Sequence, residues 1–128
     1  MKGGVSMTGF IKFQTTKEVS EKIIEAVTVA KATGKIIKGV NETTKAVERG
    51  ITKFVVMAED VTPPEILMHI PVICDEKKVP FGYVPSKEDL GKASGIVVPT
   101  SSIAVAEEGD AKKLFSDVRA KIEELKKG

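Results

Sequence analysis

Asn41, Lys45 and Arg49 follow one another at intervals of four residues within the stretch KGVNETTKAVERG, residues 38–50. On a helix that spacing puts an amide, an ammonium and a guanidinium on one face. Lys and Arg can neutralise phosphates or donate to guanine O6 and N7. Asn both donates and accepts, whereas the carboxylate beside it, Glu42, only accepts and repels phosphate. A carboxylate in that place makes sense if it accepts from a base N–H, as guanine N1 and N2 can provide. Regular A-form RNA does not offer guanine edges in its deep, narrow groove, so such a reader needs a distorted or looped RNA. A second explanation fits the same residues: Asn41 caps the helix and Glu42 complements the positive end of its dipole. In either case the helix start suits a phosphate. Thr44, Val47 and Ile51 form another face, expected to pack inward.

The charge of the chain is uneven. Overall, 20 basic side chains stand against 18 acidic ones. Between Lys31 and Lys53 there are six basic residues, and only Glu42 and Glu48 oppose them; between Glu59 and Glu76 there are five acidic residues and no Lys or Arg. A chain polarised in this way can offer a basic face to a polyanion without being basic overall. Two ordinary solvated surfaces would give the same pattern. With no tryptophan and only six Phe or Tyr residues, recognition by rows of stacked bases is poorly supplied.

Catalytic groups are scarce. The single histidine, His69, lies in the apolar run ILMHI and reads as a hydrogen-bonded structural residue. Cys74 is the single cysteine, so no disulfide can form within the chain and nothing requires an oxidising compartment. One His and one Cys make no zinc set of structural type, and Cys74 reads as a small buried apolar residue. Gly34 and Gly39 have the first spacing of a phosphate loop, but Val40-Asn41 stand where Lys-Ser/Thr is required. The segment AEDVTPPE resembles the phospho-acceptor position of receiver domains, with Asp60 as acceptor. That family wants further acidic residues after the first strand, where this chain has KIIKGVN. The expectation is therefore no catalysis, no metal and no cofactor. A phospho-signalling or small-molecule-binding α/β domain using Asp60 is the alternative.

These residues need elements to hold them. Residues 1–10 read as a flexible tail, and residues 11–128 as one domain of a size that can bury its own core. From Thr16 the pattern is helical, with Val19, Ile23, Val27 and Ala30 on one face and Gly34 at the end. KIIK is a short strand, followed by the helix from Asn41 to Arg49. FVVMA, residues 54–58, is apolar throughout, as a central strand covered on both faces should be. A helix begins near Pro63 and Pro64 with EILMHI as its apolar side, and PVICDEKKV is a further helical stretch. FGYV is a third strand, Ser86 caps a helix over SKEDLGKA, and GIVVPTS is a loop or edge segment broken by Pro99. IAVA is the last strand, and a final helix aligns Leu114, Val118, Ile122 and Leu125. Strands alternating with helices predict a three-layer α/β/α sandwich, a four-stranded mixed sheet with helices on both faces. MKGGVSMTGF lacks the apolar run of a signal peptide and no stretch approaches about 18 apolar residues, so a cytoplasmic location is expected.

Three blocks together resemble the archaeal large-subunit ribosomal protein family usually called L-seven-Ae, the kink-turn RNA binders. They are KGVNETTKAVERG, where the family has Gly-x-Asn-Glu followed by Lys; VVMAEDVTPPEI; and CDEKKVPFGYVPSKEDLG. The last fits the pattern Cys, four residues, Ile/Val-Pro-Phe/Tyr, then a hydrophobic residue, Ser-Lys and Leu-Gly. The resemblance spans about residues 12–126. It implies the same α/β/α sandwich and binding to a kink-turn, an internal-loop bend with tandem sheared G·A pairs and a flipped-out nucleotide.

By position, the resemblance implies that Asn41, Glu42 and Lys45 contact the guanines of the sheared pairs while Gly39 lets the backbone come close. Lys38 and Arg49 would touch the sugar-phosphate backbone. Ile66, Lys87 and the loop Ile96-Val97-Val98 would enclose the flipped base. Many archaeal members have Ile-Glu-Val-Pro where this chain has Ile96-Val97-Val98-Pro99. Some eukaryotic relatives have Arg at the place of Val98 and Glu at that of Thr62. The departure implies apolar packing against the flipped base and tolerance of different bases. Implied partners are ribosomal RNA, box C/D and H/ACA guide RNA and ribonuclease P RNA, with a Nop-type scaffold protein and fibrillarin reached through the shared RNA. A membrane is not among them, and the chain is expected to be a monomer when free.

Overall fold

Every side chain from Phe54 to Ala58 is buried, which requires cover on both faces of the strand they form. That cover is visible in a computed structural model, which describes residues 11, 13–96 and 98–127. The expected tail, residues 1–10, lies outside the described residues. The elements run α1 (Lys17–Thr33), β1 (Lys35–Lys38), α2 (Val40–Glu48), β2 (Phe54–Ala58), α3 (His69–Lys77), β3 (Phe81–Val84), α4 (Lys87–Ala93), β4 (Ser102–Glu107) and α5 (Lys112–Lys127). Short 3-10 turns over Pro64–Leu67 and Gly109–Ala111 precede α3 and α5.

The sheet order is β1-β4-β2-β3. β4 runs antiparallel to both of its neighbours, whereas β2 and β3 are parallel. The mixed sheet and the three layers are those expected from the sequence. This order has one consequence for everything that follows. The C-terminal ends of β1, β2 and β3 and the start of β4 all meet at one edge of the sheet.

On one face α1 packs with α5, and on the other α2 packs with α3. Gly82 of β3 faces the first pair: a Cβ there would lie 2.9 Å from Ile23 and 3.1 Å from Ile122. Phe54 and Phe115 tilt together on the same side at 5.2 Å between ring centres. Phe13 stacks edge-on against Tyr83 at 5.0 Å and closes over β3. β1 at the opposite edge is short and begins and ends in exposed lysines, Lys35 and Lys38, a composition that discourages pairing with another strand.

Local chemistry sets the helix ends. The Thr16 hydroxyl accepts from the Val19 N–H at 3.2 Å. Ser86 accepts from the N–H groups of Glu88 and Asp89 at 3.1 and 3.2 Å. Both are N-caps of the expected kind. Two details depart from the sequence reading. The segment after Pro63 is not one helix: a single 3-10 turn is followed by α3, which takes Pro71 in its first turn, where no N–H is needed. Ile51 does not pack inward but stays 45% exposed. Gly50, at φ +74°, turns the chain out of the helix before it. Among the described residues no helix is long and apolar enough to cross a membrane.

Cys74 lies on the inward face of α3 and is fully buried. Burial, with Asp75 adding to it and Lys126 opposing, pushes its thiol up to about 12. The nucleophile is the thiolate, so at pH 8 only about one thiol in ten thousand is reactive by the ordinary titration relation. Iodoacetamide at pH 8 should leave Cys74 unlabelled in the folded protein and label it fully in urea, as read by intact-mass spectrometry. Labelling of the native protein at the rate of a free thiol would contradict this burial.

Candidate nucleic-acid interface

The start of α2 is fixed by Gly39. Its φ of +98° lies in the left-handed region, where a side chain is strained. Its N–H donates to the Ser102 carbonyl at 2.9 Å, and its own carbonyl accepts from the Thr43 N–H at 2.9 Å. Gly39 is therefore the N-cap and the helix begins at Val40, one residue earlier than expected. Asn41 does not cap it. Glu42, three residues past the cap, stands where a carboxylate could reach back to the cap N–H, but that N–H is held by Ser102.

Glu42 instead sits 3.7 Å from the Lys45 ammonium, with both side chains more than half exposed. An exposed pair of this kind opens at little cost. Asn41, Lys45 and Arg49 share the exposed face as expected, and Lys38 is exposed at the end of β1. The buried face consists of Thr43, Ala46 and Val47. Thr44 is only half-buried and holds a hydrogen bond 2.7 Å from His69 Nε2. Arg49 stands at the far end of α2, roughly 12 Å along its axis from Asn41 at 1.5 Å per residue.

Across the same sheet edge lies the second group. Asp60, just past β2, accepts from the Lys87 N–H at 2.9 Å. The Lys87 carbonyl accepts from the Thr100 N–H at 3.1 Å, and the Ser101 carbonyl accepts from the Ala58 N–H at 2.9 Å. The Ser102 hydroxyl reaches Thr43 at 3.4 Å in the buried interior. A continuous set of bonds thus joins α2, the start of β4, the head of α4 and the end of β2.

On this frame Ile66 and Val98 are 39% and 58% exposed, and Ile96 is half-buried with its N–H on the Gly91 carbonyl at 3.1 Å. Val97 lies outside the described residues. Lys87 is half-buried at the first position of α4. The edge therefore presents amide, carboxylate and ammonium on one side and apolar surface on the other. Asp60 has a structural partner, and its neighbour Glu59 titrates above the ordinary carboxylate range, first through burial and then through repulsion by Asp60. Among the described residues no cluster of three or more His, Cys, Asp or Glu could hold a metal ion.

The model of the Ribosomal protein L7Ae/L30e/S12e/Gadd45 family matches residues 21–115. The chain belongs to this family. Among solved structures it is similar to the Giardia lamblia 15.5kD RNA binding protein, at 30% identity and a TM-score of 0.86. That similarity covers 94% of this chain and 99% of the other.

Within this family frame, three contacts escaped the sequence reading: Asp60 with Lys87, His69 with Thr44, and the passage of the loop over Gly91. The first two join residues 27 and 25 positions apart, and no periodicity reports such pairs. The third left a trace, the Gly that follows Leu90. A Cβ on Gly91 would lie 2.4 Å from the Val98 carbonyl oxygen, so only glycine lets the loop lie on α4. Gly91→Ala should cost about 1–3 kcal/mol, the usual range for a forced backbone shift, whereas Lys92→Ala, exposed on the same helix, should stay within about 0.5 kcal/mol. Urea denaturation measures both, and equal midpoints would show that the loop yields freely.

Proposed function

We propose that this chain is a non-enzymatic RNA-binding protein that recognises kink-turns and stabilises their bent form. The observation that carries the proposal is Glu42. It is exposed at the first turn of α2, has no capping duty and has a weak partner in Lys45. A carboxylate so placed opposes phosphate, and its use is to accept from a base. The similarity to the Giardia lamblia 15.5kD RNA binding protein supports the same reading.

On this proposal Glu42 accepts from guanine N1 or N2 in the sheared G·A pairs, and Asn41 and Lys45 flank it with donors. Separation of the Lys45–Glu42 pair frees both groups for the bases. Gly39 supplies a backbone turn with open space where a Cβ would be, so RNA can approach the N–H groups of the helix start. Lys38 and Arg49 neutralise phosphates on either side of the bend. Ile66, Lys87, Ile96, Val97 and Val98 surround the flipped-out nucleotide. With Val98 apolar and exposed, that contact is van der Waals packing, which every base can satisfy. The protein binds the kinked conformer preferentially and so shifts the RNA population toward it.

A protein of this kind serves ribosomal RNA, box C/D and H/ACA guide RNA or ribonuclease P RNA, and meets a Nop-type scaffold protein and fibrillarin on the shared RNA. The test is a titration of a kink-turn RNA against a version with its G·A pairs disrupted. Wild type should prefer the intact motif, and Glu42→Ala should lose that preference at about 1–3 kcal/mol, the value of one good base contact. Unchanged discrimination would remove Glu42 from the recognition. Lys38→Ala should weaken binding to both RNAs alike and lower the slope of log K against log salt by about one phosphate. A slope equal to that of wild type would take Lys38 out of the footprint.

A further inference from the structure

His69 is the first residue of α3 and follows Ile66 by three positions. Its Nε2 lies 2.7 Å from Thr44 Oγ1, and the same oxygen lies 2.8 Å from the Val40 carbonyl. A hydroxyl has one proton to give. With that proton on Val40, the remaining bond requires the imidazole Nε2–H to donate to Thr44. The result is a short relay from α3 through Thr44 to Val40, the first residue of α2. Val40 adjoins Asn41 and Glu42, and the α3 end of the relay adjoins Ile66. The relay therefore links the helix that carries Asn41 and Glu42 to the element that follows Ile66.

We propose that His69 is a positioning residue for RNA recognition. Through Thr44 it holds the first turn of α2 at a fixed setting relative to the segment that carries Ile66. The guanine-facing and flipped-base-facing groups are then in register before RNA arrives, and less ordering free energy is lost on binding. The inference rests on the kink-turn proposal above. Because the bond is exposed, its removal has little effect on global stability, and this separates positioning from a general structural role.

The test uses the full chain and the same pair of RNAs. His69→Ala and Thr44→Val should each weaken binding to the intact kink-turn three- to ten-fold. The double variant should be no weaker than the weaker single one, since both remove one relay. His69→Gln, which keeps an N–H donor, should recover most of the loss. Thermal midpoints should stay at the wild-type value, and so should the salt slope, since no phosphate contact is lost. Wild-type affinity in His69→Ala, additive losses in the double variant, or losses matched by a fall in thermal midpoint would each overturn the inference. A shallower salt slope would do so too, by making His69 a phosphate contact. If wild type fails to prefer the intact kink-turn, the function proposed above fails and this inference falls with it; preference in wild type with an indifferent His69→Ala overturns the inference alone.

Discussion

The interface depends on the place of β4 between β1 and β2. A strand that runs antiparallel to both neighbours brings its beginning to the edge where they end. Ser102 then meets Gly39 on one side while Ser101 meets Ala58 on the other. Backbone groups at a sheet edge must find partners, and here the partners are the loops that carry the exposed residues. The same bonds that satisfy the sheet thus set the spacing between α2 and the 95–101 loop. A surface built on strand ends in this way is more rigid than one built on free loops, because moving it would break the ladder.

This arrangement changes the meaning of Glu42. From the residues alone, a carboxylate in the first turn of a helix is adequately explained by the dipole. In the folded chain the cap is a glycine whose N–H is already bonded, so a reach back by Glu42 has nothing to meet. The dipole still favours the charge, by about 0.3–1 kcal/mol in exposed settings, and this is less than a base contact supplies. A favourable ground-state setting and a binding role are compatible. On the kink-turn proposal the helix end holds the carboxylate in place, and a hydrogen-bond donor from the RNA completes it.

The architecture was legible because its signals are local. FVVMA announced a central strand, Thr16 and Ser86 announced helix starts, and the alternation of the two element types announced layers. The candidate site was legible for the residues that belong to one short stretch, Lys38 to Arg49. What stayed hidden has two physical causes. Contacts such as Asp60 with Lys87 arise from the sheet order, which no local pattern encodes. The helix start moved from Asn41 to Val40 because Gly39 takes a positive φ and gives its N–H to a distant strand; without that strand, Asn41 would be the better cap by propensity. Ile51 was misplaced for a similar reason: helical spacing was carried past Gly50, where the helix had ended.

The uneven charge does not resolve into an acidic helix beside a basic one. α2 and its cap carry Lys45 and Arg49 but also Glu42 and Glu48, and the end of α3 carries Asp75, Glu76, Lys77 and Lys78, all exposed. Asp75 lines the same surface hollow as Lys78, Phe81 and Lys126, at the end of the sheet opposite to the one where α2 begins, beyond a Debye length of about 8 Å from a ligand at that start. Opposite charges that alternate within one helix cancel at a distance and act only on groups in contact. On the kink-turn proposal, discrimination against ordinary duplex therefore rests on the single carboxylate of Glu42 at the helix start and not on a repulsive flank.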